Sequence, residues 1–354
     1  MAPTVGLTRR AWMRLVGAGA AAAAPLARSP HGAAAQGSGP GAPPPLPHAA
    51  HAMGPVGRVT SDAINPTAFL RTWNFADLPP EKRAEYYRET RRPDGSLLRE
   101  YRLVAVDREI EIAPGVFFPA WTFNGQVPGP TLRATEGDRV RVTFVNEASH
   151  PHTIHFHGWH PPEMDGSLPE HQVLPGGQFV YEFDADPFGL HLYHCHAAPL
   201  KRHIHKGLYG AFIVDPRGGR PPADELVMVM NGFDTNFDAD NEVYAVNTIA
   251  HHYTHEPIVV GVGALVRLYV VNVTEFDLVN SLHLHGMFFT VNRTGTTLTG
   301  GEVTDTVMLC QGERAILETR FRFPGLFMFH AHQSEFAELG WMGLFEAVGV
   351  RRDT

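Results

Sequence analysis

The chain has 354 residues, 44% hydrophobic and 19% charged, which suits about two globular domains and excludes wholesale disorder. A formal net charge of -8 excludes a broad basic face for duplex nucleic acid, and two cysteines exclude a disulfide framework. Against those two cysteines stand 21 histidines, a ratio that points toward metal.

Residues 1–35 read as a twin-arginine export signal. Thr8-Arg9-Arg10-Ala11-Trp12-Met13-Arg14 carries the basic start, an apolar run over 15–26 follows, and Ala33-Ala34-Ala35 supplies small residues for cleavage. The run is too short to span a bilayer, and no span is expected once the signal is removed. The expected location is the bacterial periplasm or the medium. Residues 36–60, rich in Gly, Pro, Ala and His, read as a flexible linker. Residues 61–99 form an N-terminal extension, with a short surface helix predicted over 79–90 behind its opening prolines.

Strand signals begin near Tyr101, with β-rich runs at 103–106, 110–112 and 140–145. A second set lies at 226–230, 259–262, 265–273, 288–291 and 315–321. Short strands between Gly- and Pro-rich turns predict an all-β chain of sandwiches. An internal repeat sets the number of units. His155-Phe156-His157-Gly158 returns as His283-Leu284-His285-Gly286, and His194-Cys195-His196 returns as His330-Ala331-His332. Gly207-Leu208-Tyr209-Gly210 returns as Gly340-Trp341-Met342-Gly343. Two homologous domains follow, 100–217 and 226–350, with 218–225 as the linker between them.

The repeat carries four His-x-His pairs. Residues i and i+2 of a strand face the same side, so each pair presents two imidazoles to one point. Eight imidazoles from two related domains can hold several metal ions, and imidazole favours copper, zinc, iron or nickel. Cys195 lies between His194 and His196 and faces the other way. A thiolate with two histidines is the blue-copper donor set. Its partners are His203 downstream and His152 upstream, with His205 and His150 as rivals. Leu208 stands where a weak axial methionine would sit. Cys310 is expected to be a buried thiol, and the remaining histidines (His160, His171, His191, His251, His252, His255) to be solvated or hydrogen-bonded.

These motifs resemble the multicopper oxidases, in particular the small two-domain laccase-like members, over nearly all of the chain after the linker. The segment FNGQVPGPTLRATEGDR at 123–139 is similar to the first strands of that family. The resemblance implies two tandem cupredoxin-like Greek-key β-sandwich domains. It implies a type 1 copper on His152, Cys195 and His203, and a type 2 copper on His155 and His283. It further implies a type 3 pair on His157, His194, His196, His285, His330 and His332, four coppers per chain in all. The second domain departs from the type 1 pattern throughout: Asn280, Ala331, Phe336 and Trp341 stand at the equivalent places. The implied reaction draws electrons one at a time from a small reducing substrate (a phenol, an aromatic amine or a metal ion). It delivers four to dioxygen, giving water. Of the carboxylates near the motifs, Asp165 ranks first as a proton relay, ahead of Glu163, Glu335 and Glu338. The family's head-to-tail homotrimer is the implied assembly. The alternatives are a copper-containing nitrite reductase and a non-catalytic copper or electron carrier.

Overall fold

The segment Arg139–Asn146 (RVRVTFVN) buries every second residue, as a strand with one face on a core must. The computed structural model describes residues 57–59, 65–71, 75 and 78–349, and among them places 21 strands and only short helices. The first ten strands are β1 (Gly57–Val59), β2 (Tyr87–Arg91), β3 (Leu97–Ala113), β4 (Val116–Phe123), β5 (Leu132–Thr135), β6 (Arg139–Asn146), β7 (His155–Phe156), β8 (Gln178–Asp184), β9 (Gly189–His194) and β10 (Tyr209–Asp215). The rest are β11 (Asp224–Phe233), β12 (Val243–Val246), β13 (Ile258–Gly261), β14 (Val266–Asn272), β15 (Val279–Leu284), β16 (Phe289–Arg293), β17 (Glu302–Thr304), β18 (Thr306–Cys310), β19 (Arg314–Thr319), β20 (Gly325–His330) and β21 (Met342–Val348). The expected export segment, 1–35, lies outside the described residues, as do residues 36–56. Among the described residues no helix is long and apolar enough to cross a membrane.

Each set builds a cupredoxin-like sandwich. In the first, β1-β3-β6-β8, with β2 and β4 also on β3, faces β5-β10-β9-β7. In the second, β12-β11-β14-β19-β16-β17 faces β13-β21-β20-β15-β18. The same parallel pairings recur in both: β3 with β6 and β5 with β10, then β11 with β14 and β13 with β21. Sheet neighbours distant in the chain are the mark of crossover, Greek-key connections.

Leu103 and Phe144 from one sheet meet Leu132, Phe156, Tyr193 and Phe212 from the other in the first core. The second core runs on without a break into Ile110, Phe118, Val127, Leu192 and Ile213 of the first sandwich. That continuity explains β11, whose last eight residues are all buried. The first sandwich covers the face that would otherwise meet water, and Asn231 of β11 donates to Tyr209 Oη across the junction at 2.8 Å.

Three local expectations change. Runs 103–106 and 110–112 belong to one 17-residue strand, because β3 finds partners along its whole length. The helix predicted over 79–90 stops at Tyr86, and Tyr87–Arg91 becomes a strand. Pairing decides this: Tyr87 lies opposite Tyr101, ring centroids 5.1 Å apart, across a turn with Gly95 at φ 87°. Cys310 is exposed rather than buried. On β18 Val307 and Leu309 point inward, so the alternation sends Met308 and Cys310 out.

Candidate metal centre

Cys195 follows β9 directly and is fully buried. Its Sγ lies 3.2 Å from His203 Nδ1 and 3.7 Å from His152 Nδ1, and the two ring nitrogens are 3.1 Å apart. His152 pairs with Val173 beside the sheet, and His203 sits in the helix Leu200–His205. The Thr153 N–H donates to Sγ at 3.4 Å. The rivals lie elsewhere. His150 meets Ser149 Oγ and packs on Trp121, while His205 Nε2 accepts the Asp234 N–H at 2.9 Å. Leu208 is fully buried, and its carbonyl accepts the Cys195 N–H.

Burial controls protonation here. It pushes the Cys195 thiol up to about 11 and His203 down to about 4, and it also lowers His152. The imidazoles are therefore neutral donors at pH 7, and a metal must displace the thiol proton.

The other histidines form two groups of four. His155 lies opposite His194 in β7/β9, and His283 lies opposite His330 in β15/β20. Ring centroids are 5.2 Å apart for 155/194 and 5.4 Å for 283/330. His196 lies 5.4 Å from His155, and His332 lies 5.4 Å from His283. The Nε2 atoms of His157 and His194 approach to 3.3 Å, and those of His285 and His330 to 3.0 Å. Each His-x-His pair straddles a strand end, so its second member sits in the following loop rather than in the strand. Among the described residues no ring contact joins the two groups.

The donor chemistry fits a metal. Nδ1–H of His155 donates to the Asp165 carbonyl, His194 to Cys195, His283 to Asp305 and His330 to Ala331, at 2.7–3.0 Å. A carbonyl can only accept, so the proton sits on Nδ1 and Nε2 keeps its lone pair for a metal. Burial holds His157 down at about 2 and His194 at about 4. The environments differ, however: His194 is buried, whereas His285 and His332 are exposed.

The multicopper oxidase family matches this chain at residues 107–219 and again at 220–348, one sandwich each. The chain belongs to the multicopper oxidase family. A crystal structure of a multicopper oxidase superposes with a TM-score of 0.76 at 53% identity, covering 80% of this chain and 97% of that one. The copper nitrite reductase of Nitrosomonas europaea superposes with a TM-score of 0.66 at 26% identity, covering 71% and 94%. Among curated proteins, the copper-containing nitrite reductase of Neisseria meningitidis serogroup A is 31% identical over 252 residues. That match covers 65% of this chain and 64% of the reductase, so under two thirds of the relative's length is represented.

Copper is the cofactor of this family, and the His152–Cys195–His203 donor set suits it. Of the carboxylates, Asp165 stands at the cluster. Its Oδ1 is 3.2 Å from His155 Nδ1 and 3.7 Å from His160 Nε2, and Ser167 Oγ donates to Oδ2. Burial raises its pKa, but the Ser167 hydrogen bond and His155 outweigh that and leave it lowered. Glu163, Glu335 and Glu338 are exposed. His160 is hydrogen-bonded as expected, to the Phe156 carbonyl at 2.8 Å. Two residues carried no signal in the motif spacing. Arg314 of the second sandwich brings Nη1 to 3.4 Å from His157 Nδ1, and Trp121 walls His152 and His203 at 5.2 and 4.7 Å between ring centroids. Only tertiary contact brings them in.

Proposed function

We propose that this chain is a laccase-like oxidase. It couples one-electron oxidation of a small reducing substrate to four-electron reduction of dioxygen to water. The observation that carries the reading is the pair of matched four-histidine groups beside a separate set of one cysteine and two histidines. Nitrite reduction at a single copper on three histidines would leave most of those imidazoles without a task, and it would need an aspartate where His155 stands.

On this reading His152, Cys195 and His203 hold the type 1 copper. His155 and His283 hold the type 2 copper, and His157, His194, His196, His285, His330 and His332 hold the type 3 pair. Copper so held supplies one-electron redox chemistry and a place to reduce dioxygen. The protein does the rest. Cys195 is bonded through the backbone to His194 and His196, so one short covalent path links the two kinds of site. Trp121 and the buried helix end at His203 keep water off the thiolate. Asp165 Oδ1, beside His155, is placed to hold a proton for the cluster.

Assembly belongs to the same proposal. The outer face of the second sandwich carries exposed Val259, Leu326 and Met308 on the same side of the sheet as His283 and His330. The first sandwich of another copy would cover that apolar face and bring its own four histidines to it. Three such head-to-tail contacts close a ring.

The test is dioxygen uptake by copper-loaded protein with a phenolic donor, with Cys195→Ser as control and nitrite as the competing acceptor. Uptake without peroxide release, lost in Cys195→Ser, supports the oxidase. Nitrite consumption without dioxygen uptake sinks it.

A further inference from the structure

Lys206 follows the helix Leu200–His205 and is only 1% exposed. Lysine is among the residues least often buried unless paired. Here no ion pair within the described residues accounts for it. Instead its Nζ lies 5.1 Å from the Phe118 ring centroid, 5.1 Å from Phe237 and 5.7 Å from Trp121. Three ring faces from two sandwiches enclose one ammonium. The Trp121 backbone N–H donates to the Lys206 carbonyl at 2.8 Å and holds the two residues side by side. Trp121 also packs against His203 and His152, and Arg202 lies over the same ring at 5.5 Å. One aromatic ring therefore touches both a buried cation and the two imidazoles of the thiolate–imidazole set.

We propose that Lys206 is a positioning charge that holds the reduction potential of the His152–Cys195–His203 centre high, acting through the Trp121 ring. The inference rests on the type 1 reading of that triad. Its physics is Coulombic. Reduction lowers the positive charge of the centre by one, so a fixed cation nearby favours the reduced form. The protein between them is dry and aromatic, and screens the interaction less than water does. A non-coordinating Leu208 beside Cys195 acts in the same direction. Burial also lowers the lysine pKa to about 7, with Arg202 adding to the fall and Asp107 opposing it. The other titratable and charged neighbours are His150 beside Trp121, His205, and Asp234 and Asp238 flanking Phe237.

The experiment uses full-length, copper-loaded protein and Lys206→Met, with Lys206→Arg to retain the charge. Each is equilibrated with a one-electron mediator at about pH 6 and read through the thiolate-to-copper absorption, with melting of the copper-free proteins alongside. Lys206→Met is expected to shift the equilibrium about tenfold toward the oxidised centre, about 59 mV for one electron. Lys206→Arg keeps the wild-type value, and copper-free Lys206→Met melts no lower than wild type. The gap between wild type and Lys206→Met narrows above about pH 7 as the lysine loses its proton. Should Lys206→Met not fold, Lys206→Gln replaces it. An unchanged potential in a variant with normal absorption overturns the proposal, as does an equal fall in Lys206→Arg, which would mean packing rather than charge. Wild-type protein that takes up copper without any thiolate absorption instead overturns the type 1 reading itself.

Discussion

The two sandwiches share one frame and fill it differently. The Cys195 N–H donates to the Leu208 carbonyl at 2.9 Å, and the Ala331 N–H donates to the Trp341 carbonyl at 3.1 Å. The His196 N–H reaches Thr153 Oγ1 at 3.0 Å, and the His332 N–H reaches Ser281 Oγ at 2.8 Å. Inside that frame the first sandwich sets His152, Cys195 and His203. The second sets Asn280, Ala331 and Phe336, with the Phe336 ring stacked on Tyr244 at 4.1 Å. Backbone register thus carries the imidazole groups in both halves. A handful of side chains decide whether the pocket behind holds a metal donor set or an apolar plug. The second group, with His285 and His332 exposed, is more open than the first, where His194 is buried and the others are half-buried, and the proposed assembly would remove that asymmetry.

The plug gives the largest expected effect. Phe336→Ala removes a 7%-exposed ring and its stacking on Tyr244, and should destabilise the chain by about 3–5 kcal/mol. Thermal unfolding checks it, and the thiolate absorption of the first sandwich should stay unchanged. If that absorption is lost as well, the two pockets are not independent.

The junction between the sandwiches comes next. Glu225 on β11 accepts from Arg133 of the first sandwich at 2.9 Å and from Arg267 of the second at 2.8 Å. Glu225→Gln leaves two largely buried guanidiniums short of a partner, at a cost of about 3 kcal/mol. Burial alone would raise the Glu225 pKa, but Arg133, Tyr269 and Arg267 outweigh it and hold the carboxyl below the usual glutamate range. A depressed carboxylate contributes stability above its unfolded pKa and loses it as pH falls through the folded value. The gap between wild type and Glu225→Gln should therefore be full at about pH 6 and shrink below about pH 4. A gap that is constant with pH would remove the ion pair as its cause.

The smallest effect tests the cluster itself. Asp165→Asn keeps the shape beside His155 but removes the charge, and should slow dioxygen uptake about 10–100-fold. Copper content should be measured with the rate. A variant that has lost copper in proportion to activity would make Asp165 an orienting group rather than a proton carrier.

Much of this was legible in the sequence, because the deciding features are local. Period-2 alternation marks strands such as Arg139–Asn146, and the His-x-His repeat needs only spacing to declare two related histidine-rich halves. The opposed side chains of His194 and Cys195 follow from the same alternation. Other features depended on which strands meet. Tyr87–Arg91 pairs as strand because β3 offers an open edge to it, and the exposure of Cys310 follows from which residues of β18 face inward. The choice of His203 over His205 turns on one helix that aims the first at Cys195 and the second at the Asp234 backbone. Lys206, Trp121 and Arg314 come to the candidate metal sites only when distant segments pack. Spacing along a chain reports what lies on one strand, whereas contact between sheets and sandwiches is set by a shared core that no local pattern encodes.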